Sequence, residues 1–319
     1  MERLWPDEAL DFEAAVVGAL SRLGGVELAR RCEAQPELRD VELRSALSEL
    51  GLFDLDVHGS AVEAAAAACA MLAAGAVACP WPLVQQLSVP AAIRDRVDRV
   101  YLSDRELGRA EHLDLGGRAV ALDVVSGEVR DLAAFGSAVH APLDPFGVPC
   151  ELGSLVDEEL NGSVGAHVVL AAFWVLGALG RARDLAVEYA KERRQFGTRI
   201  ADFGAIQWHL SDLALAHDSL WELASFSLGR MGDGRLLPAD SLALQLTIAE
   251  SARAVMNHAH QVLGAIGLCE EHDVTLLDRH IQPLVRRPCG ASRILGLLVD
   301  EISRSGFDSL YPVDATATA

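Results

Sequence analysis

The chain has 319 residues, 51% of them hydrophobic but only 5% aromatic, and carries a formal net charge of −19. That charge argues against a nucleic-acid partner, because phosphate binding runs on Lys and Arg, and equally against an anionic membrane surface. The length allows a substantial core. Ala and Leu dominate and no Thr precedes Thr198, so the composition predicts a mainly α protein.

In chain order, residues 7–80 read as helices. "LDFEAAVVGALSRL" has apolar residues at helical spacing, and "VELRSALSELGLFDLDV" predicts an amphipathic helix ending at Gly51. The run Val62 to Cys79 is apolar except for Glu63 and is mostly alanine, a weak membrane anchor. It reads as a buried helix, not a span, closed by the two prolines of "CPWP". Residues 91–160 change character. "RVYLS", "RAVALDVV" and "AVHAPL" are β-like, punctuated by "LGG", "SGE" and "LDPFGVP".

From Gly162 the helical signal returns. One long helix is expected from Val164 to about Arg193, with Gly177 and Gly180 inside it as marks of close packing. A second, from about Ala201 to Arg230, has an apolar face of Ile206, Leu210, Leu213, Leu220 and Phe226. "GDG" ends it. A third begins near Pro238–Asp240 and runs to Gly264. Short helices follow around Val274 to His280 and Ala291 to Ser303, and the tail "VDATATA" reads as disordered. The expected architecture is an N-terminal helical domain (1–90), a shortened middle β segment (91–160) and a C-terminal four-helix bundle (161–319).

The six cysteines form no CxxC pair and have no zinc spacing with histidine. No metal site is predicted. The N-terminus is acidic and lacks a basic stretch followed by an apolar core. Reduced thiols in a cytoplasmic protein are the expectation.

Two stretches carry chemistry. "YAKERRQFGTRIADFGAIQWHLSDL" (189–213) places Lys191, Arg193 and Arg194 beside Phe196 and Gly197 in an otherwise acidic chain. Alone, cations at a helix C-terminus answer the helix dipole. "HQVLGAIGLCEEHDVTLLDRH" (260–280) is the second. Together they resemble the C-terminal helical domain of acyl-CoA dehydrogenases. Tyr189, Arg193, Gln195, Phe196, Gly197, Gln207 and Asp212 fall in register with the first family motif. Gln261, Gly264, Gly267, Glu271, His272 and Arg279 fall in register with the second, Ala265 standing where that motif has a glycine.

The resemblance implies FAD, bound across a subunit boundary. Arg193 would meet the pyrophosphate, Gln195 and Gln261 would hydrogen-bond phosphate or adenine, Phe196 would face the adenine, and Gly264 would admit close backbone approach. The same resemblance exposes losses. The glutamate that removes the α-proton stands, in most members, just before the last helix. Here that turn is "RRPCGASR", Pro288 or Cys289 takes its place, and no Asp or Glu lies between Arg279 and Val299. The alternative location, early in the long helix, falls on His167, which reads as a packing residue more readily than as a base. No catalytic residue is therefore assigned. The flavin-facing Thr and Trp segments of the middle domain are missing too: no Trp lies between Trp81 and Trp174, and no Thr lies in that stretch.

This pattern resembles the short, degenerate subunit of the α2β2 acyl-CoA dehydrogenases of actinobacterial steroid catabolism. It implies a full-length acyl-CoA dehydrogenase partner, an FAD shared with it, a steroid-derived acyl-CoA substrate from the side chain or a ring fragment, and an electron-transfer flavoprotein as acceptor. Two other readings stay open: a non-enzymatic acyl-CoA-binding or scaffolding homo-oligomer, and a self-sufficient dehydrogenase with an atypical base.

Overall fold

The computed structural model describes residues 5–135 and 141–306. Five helices precede the sheet: α1 (Asp7–Arg22), α2 (Val26–Ala34), α3 (Arg44–Glu49), α4 (Ala61–Ala76) and α5 (Leu83–Leu87). Ser60 caps α4, its hydroxyl oxygen accepting from Glu63 N at 3.1 Å. Every residue of α4 from Ala64 to Gly75 is buried, so the alanine run is an interior helix. The single helix expected around residue 45 is split. A turn of π-helix over Arg39–Leu43 precedes α3 at the point where the Arg39 side chain turns inward. Its guanidinium pairs with Asp114 and lies 2.7 Å from His112 Nδ1.

The middle segment is a five-stranded sheet in the order β1-β3-β4-β5-β2, from β1 (Arg99–Ser103), β2 (Arg109–Glu111), β3 (Ala119–Asp123), β4 (Val129–Ala134) and β5 (Gly147–Leu155). β1 and β3 are parallel and the other pairs antiparallel. Alternation along β1 and β3 divides two cores. Val100, Leu102, Val120 and Leu122 join the main one, while Tyr101, Ala119 and Ala121 meet Leu132, Val148 and Cys150 on the other face. Of the three expected strands, "RVYLS" is β1 and "RAVALDVV" contains β3. Half of "AVHAPL", residues 138–140, lies outside the described residues, and in the other half Ala141 makes an isolated bridge to Asp144. β2, β4 and β5 were not foreseen.

The remaining chain is helical: α6 (Ser163–Glu192), α7 (Gly204–Gly232), α8 (Pro238–Leu263), α9 (Asp273–Arg286) and α10 (Ala291–Ser305). A two-stranded hairpin, β6 (Arg194–Gln195) and β7 (Thr198–Arg199), joins α6 to α7. α9 runs past the expected end at His280 and continues through Pro283. The tail "VDATATA" lies outside the described residues.

α6 forms the axis. It is long and apolar enough to cross a membrane by length and composition, yet its residues from Ala166 to Leu179 are buried among α4, α7, α8 and α9. Two glycines set the α4–α6 crossing. A Cβ on Gly75 would fall 1.8 Å from Trp174 O, and one on Gly177 would fall 2.1 Å from Leu72 O. Only hydrogen fits at this backbone-to-backbone contact. Gly180 does not share that role: its nearest neighbour would be His217 Nε2 at 3.5 Å, ordinary contact.

Candidate functional site

The basic motif forms the β6–β7 hairpin. Arg194 pairs with Arg199 and Gln195 with Thr198. The two residues between them, Phe196 (φ 51°) and Gly197 (φ 85°), both lie in the left-handed region, as a tight two-residue hairpin loop requires. Gly197 adopts this readily and Phe196 does not. Phe196 is 94% exposed, its ring edge-on to Phe203 with centroids 6.3 Å apart. Two arginines directly opposite across a hairpin repel. Asp202 is 3.8 Å from Arg199 and accepts a hydrogen bond from Thr198 Oγ1 at 2.6 Å. Arg194 also acts on the Asp202 carboxylate electrostatically, and among the described residues no carboxylate lies within ion-pair distance of Arg193. A cluster of this kind is suited to an anion, and the open ring beside it to a flat apolar group.

The second motif closes α8. Gln261 lies exposed in its last turn, and Gly264, with φ 63°, ends the helix and opens a 3-10 turn to Leu268. His260 braces this turn. Its Nδ1 lies 2.7 Å from Gly267 O and its Nε2 lies 3.3 Å from Asp278, and the bond to Asp278 raises its pKa. Thr275 Oγ1 donates to the same carbonyl at 2.8 Å.

Because α7 runs back between them, α6 and α8 end on the same side of the bundle. His209, five residues into α7, has Nδ1 2.8 Å from Nδ1 of His258, five residues before the end of α8. The structure thus brings Arg193, Gln195 and Phe196 to the same bundle end as Gln261 and Gly264. Among the described residues no hydrogen bond joins the two segments directly. The sequence reading missed the histidine pair, because neither histidine belongs to a motif.

The opposite region holds the residues where a base was sought. Arg287, beside Pro288, is buried against Glu111: Nη2 lies 2.7 Å from Oε2 and also donates to Arg109 O at 2.9 Å. Gln85 Nε2 donates to the other Glu111 oxygen at 2.5 Å, and Tyr101 Oη donates to Glu111 O at 2.6 Å. Burial would raise the Glu111 carboxyl, but the Arg287 guanidinium holds it below the ordinary carboxylate range. His167 is buried and neither ring nitrogen has a hydrogen-bond partner. Burial drives its pKa down to about 4, so it is a neutral, packed ring. Beside Glu111 remains a cavity of about 40 Å³, edged by Trp81, His112, Asp144, Phe146 and Trp174. Small-molecule pockets usually run to about 300–1,000 Å³, so neither a flavin ring nor an acyl chain fits there. The Glu111–Arg287 pair also escaped the sequence reading, since its members are 176 residues apart.

Comparison with known proteins bears on the fold and on the C-terminal helices. Residues 168–296 match the acyl-CoA dehydrogenase C-terminal domain. The 3-sulfinopropanoyl-CoA desulfinase of Cupriavidus necator is 31% identical over 201 residues, 59% of this chain and 47% of the relative. The chain thus matches about half the length of that curated relative. A chain of the Tcur3481-Tcur3483 steroid ACAD (G363A variant) superposes with a TM-score of 0.77 at 17% identity, covering 93% of this chain and 98% of that one. A chain of the ChsE4-ChsE5 complex from Mycobacterium tuberculosis gives a TM-score of 0.77 at 17% identity, covering 96% and 100%. At these identities the likeness is one of fold. Residues 168–296 are therefore an acyl-CoA dehydrogenase C-terminal domain, carried in a chain with the acyl-CoA dehydrogenase fold.

Proposed function

We propose that this chain is the half-site subunit of a heteromeric FAD-dependent acyl-CoA dehydrogenase, acting with a full-length partner on a steroid-derived acyl-CoA. The observation that carries the reading is an asymmetry between the two ends of α6. One end presents an exposed Arg-Phe hairpin beside a glycine turn. Toward the other, Arg287 neutralises the buried Glu111 beside a cavity of about 40 Å³, and Pro288, standing where the family's glutamate would be, edges a separate cleft of about 490 Å³ that holds no carboxylate from that turn.

The exposed end fits the ADP half of FAD. Arg193, with Arg194 beside it, would take the pyrophosphate. Phe196 would lie against the adenine, Gln195 and Gln261 would hydrogen-bond its edge or a phosphate, and the Gly264 turn would let backbone approach. When bound, FAD supplies the acceptor for the β-hydride of the acyl thioester. The partner would supply the base and the flavin pocket, and an electron-transfer flavoprotein would reoxidise the complex. Residues 161–319 would then be the oligomerisation and cofactor-clamping unit, set on the 1–90 helices and the reduced 91–160 β domain. Two of the fold neighbours, one a steroid enzyme and one a two-component complex, support the choice of substrate class and partner.

The test is co-expression with an acyl-CoA dehydrogenase that retains its glutamate. Arg193→Ala should lower FAD occupancy of the purified complex roughly tenfold at limiting FAD, as loss of a charge-assisted contact implies. Unchanged occupancy would sink the clamp. Flavin absorbance and acyl-CoA turnover by the isolated chain would sink the half-site reading.

A further inference from the structure

A cleft of about 490 Å³ opens near the start of α6, lined by Val164 and Val168 of α6, Leu242 and Gln245 of α8, Ile294 and Leu297 of α10, and Pro288 in the turn where the family's glutamate would stand. It is within the size range of small-molecule pockets. It shares no lining residue with the cavity beside Glu111. At 1.5 Å per residue, Val164 and Arg193 stand about 43 Å apart along α6, so the cleft is also separate from the hairpin.

Its chemistry is one-sided. Eight aliphatic side chains face it, Leu102, Val124 and Val125 from the sheet side among them. Leaving that much apolar wall to water is unfavourable. On the floor, the amide of Gln245 is buried. Its Nε2 lies 3.2 Å from Leu284 O and 3.4 Å from Val285 O. Two carbonyl acceptors can be met only by the NH₂ group, which fixes the amide orientation and leaves Oε1 as the acceptor. At the mouth stand Asp300, Glu301 and Arg304, and the Arg304 guanidinium is held by Glu301 one turn back. No cation is left over for a phosphate or carboxylate, and the acidic mouth repels one.

We propose that this cleft binds an uncharged, hydrocarbon-rich small molecule bearing a hydroxyl donor, and that it rejects anionic ligands such as carboxylates and CoA thioesters. The hydrocarbon body meets the valines and leucines, and the hydroxyl donates to Gln245 Oε1. The inference stands independently of the cofactor role of the hairpin.

Titration calorimetry on the full chain tests it with three probes: testosterone for a polycyclic body, 1-dodecanol for a linear one, and laurate as the anionic counterpart of the latter. The expected result is saturable one-to-one binding of testosterone or dodecanol, with laurate weaker by roughly tenfold or more. Leu297→Trp, which fills the cleft, should weaken the neutral probe by a similar factor with the far-UV circular dichroism unchanged. If that variant does not fold, Val125→Asp at the half-exposed rim gives the same readout. Arg193→Ala should leave binding unchanged, which separates this site from the hairpin. Absence of saturable binding by both neutral probes, equal binding of laurate, or indifference to the cleft substitutions would overturn the proposal.

Discussion

Arg287→Met is the most informative perturbation of the Glu111 region. The wild-type pair is 2.7 Å apart and the two side chains are only 11% and 7% exposed. At an effective dielectric of about 20 and a charge separation of about 4 Å, the attraction is roughly 4 kcal/mol. Removing one partner of a buried pair usually costs about 3–5 kcal/mol, because the other charge is left uncompensated. Gln85 would still donate to Glu111, which places the expected loss toward the lower end. The pH dependence gives a second, signed reading. In the wild type the Glu111 carboxyl is depressed by Arg287, so its contribution is present above the unfolded pKa of about 4.3 and is lost as pH falls through the folded value. In Arg287→Met, burial alone acts and the folded pKa is raised. The penalty at neutral pH is then relieved on acidification, with a slope of at most about 1.4 kcal/mol per pH unit relative to wild type. Adding Glu111→Gln, which keeps an acceptor for Gln85, should recover most of the loss. Urea denaturation at several pH values between 7.5 and 5 measures all three. A cost below about 1 kcal/mol with an unchanged pH slope would mean that water reaches the pair and the site is not closed.

Other expectations concern the frame that holds the two ends apart. Gly75→Ala or Gly177→Ala should destabilise by about 1–3 kcal/mol or more, since the added methyl meets backbone that cannot swing aside. Gly180→Ala, with only ordinary contact at 3.5 Å, should be neutral or stabilising by up to about 1 kcal/mol in the same melts. Ser60→Ala should cost about 1 kcal/mol by loss of the α4 cap. Glu33 is buried, which would raise its carboxyl, but bonds from His280 and Arg279 at 2.7 and 2.6 Å hold it down at about 2. Its stabilisation is present above about pH 4.3 and drains away between there and about pH 2, roughly 3 kcal/mol in all. Glu33→Gln should flatten that acid limb of the thermal melt.

Periodicity exposed some parts of this molecule and concealed others. α6 and α8 were legible because long apolar faces run between Gly and Pro boundaries. β2 ("RAE") was not: three residues, two of them charged, become a strand only by pairing with β5. β5 itself contains Pro149, Glu151 and Gly153, all discouraging in isolation. The π turn at Arg39–Leu43 follows from an arginine buried by partners more than seventy residues away. The hairpin motif could be found because its charges, ring and glycine are consecutive. The buried ion pair could not, because Glu111 and Arg287 meet only through the fold. His167 is buried within the apolar stretch of α6.

The length of α6 has a consequence for how such a chain changes over generations. Its thirty residues make a strut about 45 Å long, with the hairpin at its C-terminal end and the Glu111–Arg287 pair beside its N-terminal half, next to His167 and Trp174, and substitutions so far apart act additively. Drift at one end therefore reaches the other only through overall stability. A duplicated gene can lose its reaction chemistry residue by residue while its clamp stays under selection from a second polypeptide. Subunit specialisation of this kind needs no new contact, only a strut stiff and long enough to keep the two histories separate.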